Sequence, residues 1–146
     1  ITAWVNDILT EESFEWFAQD KNGNVWNLGE DINNYNSDGT LKDKFGSWEA
    51  EVKGAKPGII MLGDPQIGKS YRQEYLFEQA EEEARVEETG LTVKIEFGTF
   101  ENCLKIREWS RLEPGEAEFK YYAPDIGLIL SELENQSERM ELTEIE

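Results

Sequence analysis

Residues Gly63-Asp64-Pro65-Gln66-Ile67-Gly68-Lys69-Ser70 fit the pattern G-x-x-x-x-G-K-[ST] at every fixed position. In a P-loop hydrolase such a loop cradles phosphates on its backbone N–H groups. The lysine reaches the β and γ phosphates, and the hydroxyl binds Mg²⁺. Lys69 and Ser70 are therefore nucleotide candidates, with a strand over 58–62 and a helix over 71–85 around them. The competing reading is a turn between two strands, opened by Asp64-Pro65 and closed at Gly68. That reading is favoured because Tyr71, Tyr75 and Phe77 suit strands. No Walker B strand follows, and the rest of the chain reads as hairpins instead of βαβ crossovers.

Asp20, Asn22 and Asn24 place oxygen ligands at alternate positions, as the start of a Ca²⁺ loop does. The sixth position is Val25 instead of glycine and the twelfth is Asp31. Asp31 also belongs to an acidic group with Glu30, Asp38 and Asp43. Asp20, Asp31 and Asp38 are thus the metal candidates, and Ca²⁺ is the one cofactor the residues suggest. A plain hairpin turn competes for the first cluster. Tryptophans stand at 4, 16, 26, 48 and 109. An aromatic row on a curved sheet stacks sugars or grips an apolar ligand, and Trp48, Tyr75, Trp109 and Tyr122 are the candidates for that role. Core packing is the competing role for each tryptophan. No residue is assigned a catalytic role. Histidine is absent, which removes Ser-His-Asp and Cys-His catalysis, and no carboxylate pair stands out by spacing. Cys103, the lone cysteine, reads as a small buried hydrophobe.

The elements that must position these residues are those of one acidic domain. The chain has 146 residues and a net charge of −18, which argues against nucleic acid and anionic membranes, since both require clustered Lys and Arg. No apolar run approaches the roughly 20 residues of a membrane span, and Ile1–Thr10 lacks the basic start of a signal peptide. Residues 1–146 are expected to form a single β domain, about two-thirds of whose surface can be buried.

Short aromatic and β-branched runs broken by Gly, Asn, Asp and Pro indicate eight to ten antiparallel strands. The fold class is all-β: a curved sheet, half-barrel or open barrel with at most one or two short helices. Asn22-Gly23 predicts a two-residue hairpin pairing Gln19 with Trp26 and Phe17 with Leu28. Strands are expected over Ile1–Ile8, Phe45–Val52, Leu91–Phe97, Leu104–Trp109, Ala117–Tyr122, Leu128–Leu133 and Glu138–Ile145. Glu78–Thr89 is open between helix, on intrinsic propensity, and a strand with an acidic face. The Glu-rich tail over 132–146 reads as a solvated face.

Several segments resemble an uncharacterised family of exported or lipoprotein-like bacterial proteins. They are Trp16-Phe17-Ala18-Gln19-Asp20 with Asn24-Val25-Trp26, Gly46-Ser47-Trp48-Glu49-Ala50, Pro57-Gly58-Ile59-Ile60-Met61 and Ser70-Tyr71-Arg72-Gln73-Glu74-Tyr75. Leu112-Glu113-Pro114-Gly115 and Lys120-Tyr121-Tyr122-Ala123-Pro124 complete the set. The resemblance implies an exported all-β domain without assigned enzyme activity. It also implies further strands ahead of Ile1, whose loss would leave a sheet edge over Ile1–Ile8 for a protein partner or self-association. The chain departs from the family at Asp125, where a glycine is usual, and at Lys69, where an acid is. The expected function is a non-enzymatic exported module, binding or structural, holding an apolar or glycan ligand or a protein partner. The alternatives are a P-loop hydrolase and a Ca²⁺-stabilised extracellular module.

Overall fold

The computed structural model describes residues 1–135, 137 and 139–145, and among these the chain is all-β. In chain order the strands are β1 (Thr2–Val5), β2 (Ile8–Gln19), β3 (Val25–Tyr35), β4 (Leu41–Asp43), β5 (Trp48–Glu49), β6 (Lys56–Met61), β7 (Ser70–Arg72), β8 (Glu74–Tyr75), β9 (Glu82–Lys94), β10 (Thr99–Ser110), β11 (Ala117–Ala123), β12 (Gly127–Leu133) and β13 (Arg139–Glu141). They make two antiparallel sheets, neither closed into a barrel. By contacts the chain divides into two compact units, Ile1–Gly63 with Arg72–Glu81 and Asp64–Tyr71 with Glu82–Glu146.

The sheet of the first unit runs β1-β2-β3-β6-β8, with β4 and β5 also pairing on β3. A hairpin joins β2 to β3 where Asn22-Gly23 predicts one, but its turn is of another type. Gly23 N–H donates to the Asp20 carbonyl at 3.1 Å and Asp20 N–H to the Asn24 carbonyl at 2.9 Å, with Gly23 at φ +86°. This is a three-residue loop ending in a left-handed glycine. It shifts the register by one, so Gln19 faces Val25 and Phe17 faces Asn27. The two-residue turn with both central φ positive falls instead at Asn6-Asp7, φ +51° and +62°. There it pairs Val5 with Ile8 and divides the expected Ile1–Ile8 strand.

The loop is held by one carboxylate. Asp20 Oδ1 accepts from the N–H groups of Asn22 and Asn24, and Oδ2 from Asn24 Nδ2 and the Trp26 indole at 2.9 Å. The Trp26 and Asn24 bonds lead in bringing its pKa from 3.8 down to about 2. A depressed carboxylate stabilises the fold above its unfolded value and loses that contribution as pH falls through the folded one. The Trp26 indole proton resonance is therefore expected to move as pH falls from 3.8 toward about 2, and Asp20→Asn to abolish that titration. An NMR pH series checks both.

The expected Phe45–Val52 strand is corrected: only Trp48 and Glu49 pair with β3. Turns closed by Ser47 N–H to Lys44 O and Val52 N–H to Glu49 O flank them. Trp48 anchors the core of this unit with Ala55, Leu76 and Ala80.

The second unit has the order β13-β12-β11-β10-β9-β7. Glu78–Thr89 resolves as a turn with Glu78 at φ +56°, followed by the start of β9. Ala84 and Val86 are buried at alternate positions, a period-2 burial that outweighs helix propensity. The core gathers Val93, Ile95, Cys103, Ala123, Ile129 and Leu130. Cys103 is fully buried and desolvation pushes its thiol up. Of the expected Glu138–Ile145 strand, Arg139–Glu141 forms β13 while Glu138 lies outside the described residues, as do Gln136 and Glu146 of the acidic tail. Met140 is exposed, whereas Leu142 packs on the core.

Candidate functional site

In the first unit β2, β3 and β5 surround a hollow of about 330 Å³ with the 50–55 loop and the turn after β8. Its position follows from one glycine. Gly29 lies opposite Trp16 across the β2–β3 ladder, beside a register shift, at φ +152°. A Cβ there would stand 3.0 Å from Trp16 Cε3 and 2.7 Å from the Trp48 carbonyl oxygen. With only hydrogen at this position, the Trp16 ring lies against the β3 backbone and β5 closes in beside it. Trp16 stays 46% exposed while Trp48 is 4% exposed. The first ring is therefore a free surface at the hollow, and the second belongs to its floor. The Trp48 indole donates to Glu74 Oε2 at 2.8 Å, which fixes its plane.

Polar groups converge from several segments: Glu30 and Asp31 of β3, Glu49 of β5, Lys53 and Gln79. Asp31 Oδ1 is held by the Lys44 ammonium at 2.7 Å. Glu51 and Lys53 adopt left-handed backbone, φ +70° and +52°, a conformation that costs about 1–2 kcal/mol per residue. The loop tolerates it because Glu51 N–H and Ala55 N–H are bonded to Ala55 O and Val52 O, with Ala55 buried. Ser47, which also lines the hollow, accepts from Ile32 N–H at 2.8 Å and donates to Ile32 O at 3.2 Å. Both functions of its hydroxyl are taken up by the backbone, so it is not poised as a nucleophile. A flat aromatic ring with carboxylate, amide and ammonium groups around it suits an apolar ligand face fringed by hydroxyls.

The expected site residues fall in different places. Trp48 and Asp31 meet at this hollow. Tyr75 does not line it: the Arg72 guanidinium stands 4.5 Å from its ring centroid and the Lys56 ammonium 5.9 Å away. Trp109 and Tyr122 belong to the second unit, where Arg107 lies 5.3 Å from the Trp109 ring and Tyr122 stands opposite Leu104 and Leu128. Trp16 lines the hollow, although its type and spacing in the sequence do not single it out. Its signal was Gly29, the glycine inside a strand across from it.

The metal candidates are not gathered. Asp20 is saturated by hairpin donors and Asp31 is paired with Lys44. Asp38 accepts from Thr40 N–H and Oγ1 within its own turn, which lowers its pKa. Among the described residues no group of three or more acidic or sulfur side chains is arranged to hold a metal ion.

The Gly-Lys-Ser loop takes the turn form. Ser70 begins a strand, not a helix. Gly68 N–H donates to Val86 O at 2.8 Å and Lys69 N–H to Gln66 O at 3.0 Å. Two of the amides a phosphate would need are therefore committed to the loop and to β9. No helix among the described residues is long and apolar enough to cross a membrane. At the expected sheet edge, β1 is the outermost strand of its sheet, with Trp4 and Val5 exposed. No family model, curated protein or solved structure matches the chain.

Proposed function

We propose that the chain is a non-enzymatic, exported ligand-binding β domain that holds a saccharide in the hollow of its first unit. The observation that carries the reading is the exposed Trp16 ring laid over Gly29 at a hollow that mixes Trp48, Val52 and Leu76 with charged and amide side chains. The ring stacks on the C–H face of a pyranose. Glu30, Asp31 and Glu49 accept from hydroxyls, while Lys53 and Gln79 donate. A volume of about 330 Å³ sits at the small end of the range for ligand clefts and suits one or two sugar rings. The bonded Ser47 hydroxyl supports holding over turnover. The exported setting rests on the segments from Trp16 to Pro124 that resemble lipoprotein-like bacterial domains.

Titration calorimetry against neutral oligosaccharides tests it. A stacked sugar in a shallow site is expected to bind with a Kd between roughly 10 µM and 1 mM. Trp16→Ala should weaken it at least about tenfold, and Trp109→Ala should leave it unchanged. An affinity indifferent to Trp16, or no heat from any sugar, would overturn the reading.

A further inference from the structure

Along β2 the usual alternation of a half-covered strand is inverted. Antiparallel strands with one wet face turn apolar side chains inward and polar ones outward. Here Ser13 is 2% exposed, while Phe14 is 63% and Trp16 46% exposed. A slip of one residue against β3 would exchange the two faces. The ladder does not slip: Phe14 stands opposite Asp31, Glu15 opposite Glu30 and Trp16 opposite Gly29, and the register shift comes only after Trp16. Two large aromatic rings are thus held outside by the same pairing that buries a hydroxyl. Large apolar side chains exposed together on one face mark a place of binding.

Phe14 and Trp16, two residues apart, project from the same face of β2, with Cα atoms about 7 Å apart. The hollow reaches as far as the residue facing Phe14: Asp31, directly across the ladder, lines it together with Trp16. The Phe14 ring therefore continues the Trp16 surface beyond the hollow. Polar groups accompany it along β3. Lys44 Nζ stands 2.7 Å from Asp31 Oδ1, and an ammonium has three N–H groups to donate. Asn33 follows two residues after Asp31 on the same face, opposite Glu12. The row ends there, since Glu12 Oε2 accepts from the Tyr35 hydroxyl at 2.5 Å.

Resting on the reading of the hollow as a saccharide site, we propose that Phe14 is a second stacking position and that the ligand is an oligosaccharide of at least three rings laid along β2. The hollow, at about 330 Å³, takes one or two rings. Those that follow pass over the Phe14 ring, with Asp31, Lys44 and Asn33 meeting their hydroxyls. A carboxylate, an ammonium and an amide beside the aromatic row favour a hydroxylated chain over the dry core of a protein interface, which is depleted of charge.

Calorimetry of the full chain against neutral glucan and N-acetylglucosamine series of two, three and four rings tests this. Wild-type affinity is expected to rise roughly three- to tenfold from two rings to four, the scale of one further aromatic contact. In Phe14→Ala that rise should vanish. Phe97→Ala, which removes an exposed ring of the second unit, should keep it. A Trp16-dependent affinity that is equal at every length would overturn the second position and leave the reading of the hollow standing. A rise with length that survives Phe14→Ala would overturn it as well, and no heat at any length would remove both. Sedimentation velocity without sugar reads the other occupant: self-association of the wild type that is lost in Phe14→Ala would assign this face to a second copy and overturn the proposal.

Discussion

Replacing Lys120 with methionine is expected to destabilise the second unit by about 3–5 kcal/mol at neutral pH, the scale for stranding a buried charge. Lys120 Nζ stands 2.6 Å from Glu108 Oε2, and the Glu108 side chain is 5% exposed, so water can replace little of that charge. Burial works against the Lys120 ammonium, yet contact with Glu108, Tyr122 and Glu118 raises its pKa overall. The pair is therefore strongly coupled, and the loss on breaking it is greater than its net worth. With the cation gone, taking away the facing carboxylate as well removes the charge that would be stranded. The double variant Glu108→Gln with Lys120→Met should regain most of the loss. Urea denaturation at neutral pH measures this. A single variant as stable as the wild type would mean that the pair contributes little to the fold.

The second large effect is steric. Gly58→Ala in β6 is expected to cost about 3 kcal/mol, the upper part of the usual range for overpacking. Its Cβ would lie 2.3 Å from the carbonyl carbon and oxygen of Gln73 and 2.7 Å from the Arg72 carbonyl oxygen. All are backbone atoms of the neighbouring chain, so no rotamer change relieves the contact. Gly39→Ala is the informative comparison. That glycine has φ +80° but open space around it, so only the left-handed backbone penalty of about 1 kcal/mol applies. Urea midpoints that fall equally in the two variants would contradict the close approach at Gly58.

The all-β architecture was legible because runs such as Leu91–Phe97 and Ala117–Tyr122 alternate and stop at or near Gly98 and Pro124. Turn chemistry was legible only in part. Asn22-Gly23 marks a hairpin, yet Asp20 reaches across with its carboxylate to close a three-residue loop, and the register moves by one. Asn6-Asp7 carries the same kind of signal without a glycine, inside what reads as one strand over Ile1–Ile8. Phe45–Val52 reads as a strand because its apolar residues recur, but Trp48 is buried among Ala55, Leu76 and Ala80, the last two remote in sequence. Helix propensity over Glu78–Thr89 was outweighed by the burial of Ala84 and Val86 on one side of β9. At the hollow, tryptophan content alone could not rank Trp16 over Trp48. Gly29, across the ladder from Trp16, makes that distinction, and it acts only once the register is known.

Trp16 is the proposed ligand platform. The five tryptophans offer five indole N–H signals, and the Trp26 and Trp48 indoles are held by Asp20 and Glu74. Titrating the ¹⁵N-labelled chain with a neutral oligosaccharide, with the Trp16 signal assigned by its loss in Trp16→Phe, reads the platform directly. The Trp16 signal is expected to move most, with Trp48 following weakly from the floor and Trp109 staying in place. Movement led by Trp4 or Trp109, with Trp16 unmoved at saturation, would contradict it.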